Sequence, residues 1–493
     1  MRKAAAKRND ASDSNFSHVA LVCSRLNPTA PGAAMQVMTG CANFDADFRA
    51  IAQLTETNIA SAEHLTSILH QIYRRIFDVD LHRYDVEALH AAGPAALNFA
   101  HGLRTALGDR IQQWHAGGFM SPQAQGALRD VFRASRYATD MLGEMLIAYD
   151  DLSPGETIYP AFTGPHNNTQ IHPALADASN VEFQSGDVIV MRGIIYNSAA
   201  IARIGDVDSQ FSHAAMVHID DRGHRTIVEA LIADGAKLSS FDYSMSHNLA
   251  RAVLFRHHDA DLAAKAADRI FKRVQESQRS WKNHIYYDFS MELDNYDELF
   301  CAKLVRQAYD EASHGLLRLP TFPTTFEQAN ADFMARIGTT AKTTFAPGDM
   351  ELEPDFHTIA EWRDFRRTSL IRLQDMVLVK MFEWMETDGY SFRETNMMWI
   401  ISSLSKASGY LPNIVKAALS RLVPKIPRNI SREAIAVIAM LHKTAQPLHQ
   451  ELMAMERRAI KDTGRPLHPR EIYAHLDQVK QRSAGQIGYL MKA

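Results

Sequence analysis

The chain predicts an α+β protein: a small antiparallel sheet and one cysteine-bearing helix in the middle, flanked by helical regions on both sides. Three observations predict it. Apolar residues recur at three- and four-residue spacing from about 46 to 150, and again from about 355 to the end. Between these stretches lie short apolar runs bounded by turn residues, the pattern of strands. Finally, 46% hydrophobic and 22% charged residues over 493 positions is the composition of a globular chain, long enough for about three domains at roughly 150 residues each.

Residues 1–45 mix Ser, Asn, Pro, Gly and Ala and read as a loose leader. The basic run from Met1 to Arg8 is followed by polar residues, where a secretory signal has about 7–15 apolar ones. The chain therefore reads as cytoplasmic as synthesised, and export as an effector would need a non-classical route. No stretch approaches the ~18 apolar residues of a membrane span. The longest, Ala434 to Leu441, reads as a buried helix face.

In the N-terminal helical region (46–150), Ser121 is a suitable N-cap with Pro122 at the first helical position. Leu128, Val131, Phe132, Leu142, Met145, Leu146 and Tyr149 then mark an apolar face. Residues 151–180, rich in Pro, Gly, Asn and Thr, read as a linker. The middle unit (181–325) follows, with strands expected at 187–191, 214–219, 226–232 and 252–255. A helix at about 260–278, an aromatic loop at 281–296 and a helix at about 298–314 complete it, and Gly315 to Pro323 stops the pattern. The C-terminal region (355–493) reads as helical, with Ser391 and Glu394 as a capping box and Pro469 with Glu471 opening a last helix.

With 53 basic against 57 acidic residues, the net charge of −4 carries no electrostatic footprint for nucleic acid. Three cysteines, Cys23, Cys41 and Cys301, cannot make a disulfide framework in so long a chain. Cys301 stands near the start of a helix, with Asp297 as expected N-cap and Leu304, Val305 and Ala308 as core face. The positive end of a helix favours a thiolate, the nucleophilic form of cysteine.

Such a nucleophile needs a base and a group to orient it. His213 opens the apolar run to Ile219, Asp220 to Gly223 is a turn, and Glu229 sits in the next apolar run. If the hairpin is centred at Asp221, residue i faces 442 − i and His213 lies opposite Glu229. Cross-strand Cβ atoms are roughly 5 Å apart. A turn centred one residue later leaves the two diagonal, still within reach of long side chains. His218, five residues from His213, faces the other way, which argues against a zinc site made of His213, His218 and His224.

The ordered set Gly186-Asp187-Val188-Ile189-Val190, Phe211-Ser212-His213, Val228-Glu229-Ala230 with Asp234-Gly235, Tyr286-Tyr287-Asp288-Phe289 and Glu298 to Val305 resembles the circularly permuted papain-like, NlpC-type cysteine hydrolases. Their permuted branch includes YiiX-like amidases and lecithin–retinol acyltransferase-like proteins. It carries the histidine before the cysteine, as this chain does: His213, Glu229, Cys301. The family's usual serine after the cysteine is Ala302 here. The resemblance covers residues 181–325 and implies a permuted papain-like core and covalent acyl transfer. It makes Cys301 the nucleophile, His213 the base and Glu229 its orienting partner, and Tyr287 would line the cleft as a substrate-binding residue. No metal or organic cofactor is required.

Amide cleavage in a peptide or cell-wall peptide is the activity most associated with that superfamily. A phospholipase or acyltransferase acting on lipid acyl groups is the alternative. The amphipathic helices and the segment Met376 to Met397 would then offer peripheral membrane contact, although core packing suits them better. A binding module with a dead site is the third reading, weakened by the presence of all three residues. The sequence leaves the oligomeric state open.

Overall fold

The computed structural model describes residues 42–92, 94–149, 169–175, 181–203, 205, 208–246, 249–279, 283–326, 331–408 and 427–492. The leader, with Cys23 and Cys41, lies outside them, apart from its last four residues, which begin a helix. The N-terminal helices are α1 (Ala42–Thr55), α2 (Ala62–Phe77), α3 (Val86–Ala92), α4 (Pro94–Gly108), α5 (Ile111–Ala116) and α6 (Pro122–Tyr149). Ser121 caps α6, its hydroxyl accepting from the Ala124 amide at 3.2 Å, and Ser61 caps α2 through the His64 amide at 3.1 Å. Leu128, Val131, Phe132, Leu142 and Met145 are buried against the other helices, as their spacing predicts.

The middle of the chain contributes β1 (Thr169–Ile171), β2 (Val188–Gly193), α7 (Tyr196–Ala202), β3 (His213–Ile219), β4 (Arg225–Leu231), β5 (Gly235–Ser240), α8 (Phe241–Ser246) and β6 (Leu249–His257). After these come α9 (Ala260–Arg279), α10 (Cys301–Ala312), the short β7 (Thr324–Thr325), α11 (Ala331–Ile337), β8 (Thr343–Thr344) and β9 (Phe356–Arg363). The main sheet is antiparallel throughout, in the order β1-β9-β6-β2-β3-β4-β5.

Three of its strands differ from the sequence reading. β1 lies in the expected linker, β5 was not anticipated, and β9 falls where helix was expected. β9 carries Glu361 and Arg363 as buried residues, so its apolar alternation is broken by charges that pair with each other and with Arg104, Arg136 and Asp140 of the N-terminal helices. One face of the sheet packs Val188, Val190, Ala214, Met216, Val228 and Ala230 against α9 and α10. Ile189, Met191, Ala215, Val217 and Ile227 form the core of the other face.

The C-terminal elements are α12 (Phe365–Thr387), β10 (Tyr390–Phe392), α13 (Asn396–Ser408), α14 (Arg432–Thr463), α15 (Pro469–Arg482), β11 (Gln486–Ile487) and β12 (Leu490–Lys492). The expected S-x-x-E box fails. Ser391 belongs to β10, and Thr395 caps α13 through the Met398 amide at 3.2 Å. Met376 and Met381 are fully buried, which favours core packing for that segment, whereas Met397, Trp399, Ile400, Ile401 and Leu404 of α13 are exposed. Among the described residues, no helix is long and apolar enough to cross a membrane.

Candidate active site

The hairpin β3–β4 takes the later of the two registers. Ala215 faces Glu229, so the turn is centred at Arg222 and His213 lies diagonal to Glu229. Side-chain length closes the gap: His213 Nε2 and Glu229 Oε2 are 2.8 Å apart. The second oxygen of Glu229 accepts from the hydroxyls of Ser239, on β5, and of Ser244, on α8, the latter at 3.3 Å. Neither serine was singled out in the sequence, because β5 itself was not anticipated.

Cys301 is the first residue of α10, not a residue of its second turn. Residues before it run extended beside 286–288: the Leu299 amide donates to the Tyr286 carbonyl at 3.0 Å and the Asp288 amide to the Leu299 carbonyl at 3.3 Å. That pairing pre-empts the helical start expected at Asp297, and Phe300 (φ −96°, ψ 170°) takes the N-cap position. Phenylalanine has no side-chain acceptor, so α10 begins without a side-chain cap. Its first amides point from the same end of the helix as the thiol.

The Cys301 thiol lies beside the His213 imidazole, close enough to act on its protonation. With Nε2 engaged by Glu229, Nδ1 is the ring nitrogen left for the sulfur. Burial opposes a charged imidazole, but the thiol and the carboxylate outweigh it and push the His213 pKa up to about 10. Burial also opposes charge on Glu229, yet His213, Ser239 and Lys237 leave its pKa below the usual value. The Cys301 residue is buried, and the imidazole side chain keeps 18% of its surface exposed, so the site opens on the histidine side.

Tyr287 is buried beside Cys301, and burial first, then Cys301 and Asp288, pushes its phenol well above the ordinary range. Its neighbour Asp288 forms a buried ion pair with Lys303 on α10 at 2.7 Å. From outside the middle unit, Asn429 Nδ2 donates to the Tyr287 carbonyl at 2.7 Å, a link between distant parts of the chain that no local pattern carries.

The Gly186-Asp187 pair is architectural. Asp187 accepts two hydrogen bonds from Arg256, both at 2.8 Å, and the Gly186 carbonyl accepts from the Tyr309 hydroxyl of α10 at 2.9 Å. Gly186 has φ +93°, and a Cβ there would lie 2.4 Å from the Ala263 carbonyl oxygen. Gly235 (φ +68°) is as tightly held: a Cβ would lie 2.1 Å from the carbonyl oxygen of Ile285, on the segment leading to Tyr287. His213 and His218 lie on the same strand five residues apart, and His218 stacks on Phe271 of α9. Among the described residues, no group of three or more His, Cys, Asp and Glu side chains is arranged to hold a metal ion.

No curated protein and no solved structure matches the chain. Residues 182–359, under half of the chain, match the model of the family described as permuted papain-like amidase enzyme, YaeF/YiiX, C92 family, and this middle segment is a permuted papain-like unit.

Proposed function

We propose that the chain cleaves amide bonds through a thioacyl-enzyme, with Cys301 as nucleophile, His213 as general base and acid, and Glu229 as the group that orients the imidazole. The observation that carries this reading is the single imidazole hydrogen-bonded to a buried carboxylate and standing beside a thiol at a helix start. Such a chain of nucleophile, base and orienting group is the arrangement acyl transfer requires.

In the proposed cycle, the imidazole takes the thiol proton and the sulfur attacks the amide carbonyl. The uncapped amides at the start of α10 receive the developing oxyanion. Imidazolium returns the proton to the leaving amine, and a thioester remains on Cys301. Water, deprotonated by His213, then attacks the thioester, releases the carboxylic acid and restores the thiol. Tyr287, kept neutral by its burial, walls the cleft beside the sulfur. Peptide amides, cell-wall peptides among them, are the proposed substrates. The family match is to amidases, and it lends nothing to the lipid-acyl alternative.

The test compares the chain with Cys301→Ala against peptide amides, peptidoglycan peptides and phospholipid vesicles. Amide cleavage lost in the variant is the expected result. Fatty-acid release lost in the variant, without amide cleavage, would replace this reading with the lipid one. A thiol-directed probe that reacts with Cys301 no faster than with Cys23 and Cys41 in the folded protein would remove the enzyme reading altogether.

A further inference from the structure

Away from the cysteine site, the N-terminal and C-terminal helices line a deep, partly open apolar cavity of about 170 Å³. Its wall draws on Phe48 of α1, Phe77 of α2, Leu103 of α4, Met141 of α6 and Met376 of α12. Every lining residue lies outside the family-matched segment. Close-packed interiors hold few voids larger than a water molecule, because wall atoms facing a void forfeit their dispersion contacts. A void of this size therefore stands out as built to be filled.

The chemistry of the wall says by what. Most of its polar groups are already engaged: the Tyr84 hydroxyl donates to Asp47 at 3.0 Å, the Tyr137 hydroxyl to Asp208 at 2.9 Å and the Ser135 hydroxyl to the Phe132 carbonyl at 3.0 Å. Arg133 is paired with Asp130 at 3.0 Å, and His468 Nδ1 accepts from the Arg470 amide at 3.1 Å. Water would find few partners there, and Arg133, the guanidinium on the wall, already has its carboxylate. An engineered apolar cavity of about 150 Å³ stays dry and binds benzene, which sets the scale.

We propose that this cavity is a second binding site, for an uncharged hydrophobic small molecule of aromatic or short aliphatic type. The inference stands independently of the cysteine chemistry, so the experiment uses the Cys301→Ala chain alongside the unaltered one. The probe is N-phenyl-1-naphthylamine, an uncharged fluorophore, displaced by toluene. Saturable one-to-one binding in both chains is expected, with toluene competing for it and raising the melting temperature. Ala134→Leu and Ala138→Leu, which fill the cavity from α6, should each weaken the probe at least tenfold while the melting temperature holds or rises. Ile400→Ser with Leu404→Ser, on the exposed face of α13, should change nothing. Absence of saturable binding would overturn the proposal. So would a signal that survives filling the cavity, or one that disappears with the α13 substitutions.

Discussion

Two buried polar constellations do opposite jobs in this molecule. At the head of α10, one imidazole joined to a carboxylate stands beside a thiol, part of its ring is exposed, and the adjoining helix start has no side-chain cap. Between the helices and the sheet, a chain of arginines and carboxylates is sealed. Glu361 of β9 pairs with Arg104, Arg136 and Arg363, and Asp140 of α6 pairs with Arg251 and, at 2.9 Å, with Arg363. Arg372 of α12 joins Glu144 of α6, at 2.6 Å, to Glu456 of α14. Each of these charges is matched and almost wholly buried. Burial pulls against charge on Glu361, and Arg104 and Arg363 overcome it, holding the carboxyl well below its usual range. The first constellation sets a thiol and an imidazole beside each other for a reacting carbonyl. The second pairs its charges with one another and binds three regions of the chain together, which is why charge density alone does not mark an active site.

Substitutions should separate the two. The largest expected effect is loss of amide cleavage by at least about 10³-fold in Cys301→Ala with unfolding unchanged, measured by turnover and by denaturant titration. Next, Glu361→Ala should cost about 3–5 kcal/mol of stability, because it strands buried arginine charge. Its folded fraction should label Cys301 with a thiol probe at the normal rate, and a slowed rate would show that the network reaches the site. Glu229→Gln should lower kcat by about 10–10²-fold and less than His213→Ala does, since the carboxylate only orients the base. Equal losses would contradict that division.

The pH dependence sharpens the contrast further. His213 binds its proton more tightly folded than unfolded, so its stabilising contribution is complete below about 6.5 and disappears as pH rises towards about 10. Unfolding free energy should fall across that window in the unaltered chain and fall less in Glu229→Gln. The smallest effect belongs to an ordinary helix start. Ser431 caps α14 through the Ala434 amide at 2.9 Å, and Ser431→Ala should cost about 1 kcal/mol with activity intact. The start of α10 has no such cap, a feature it shares with α5 and α7, but its first residue is Cys301.

What the sequence determined by itself was local or pairwise at short range. It held the order of histidine, acid and cysteine, the hairpin that brings His213 to Glu229, and the helical face of Leu128 to Met145. Period and turn chemistry act over a few residues, so they are written in a few residues. The tertiary structure decided what depends on partners far along the chain. It chose the diagonal register over the opposed one and moved the start of α10 from Asp297 to Cys301, by pairing residue 299 with 286 and 288. It turned residues 356–363 into a strand whose Glu361 meets Arg104, 257 positions away. A charge in an amphipathic pattern normally means solvent, and only the fold brings the counter-charge that lets it be buried.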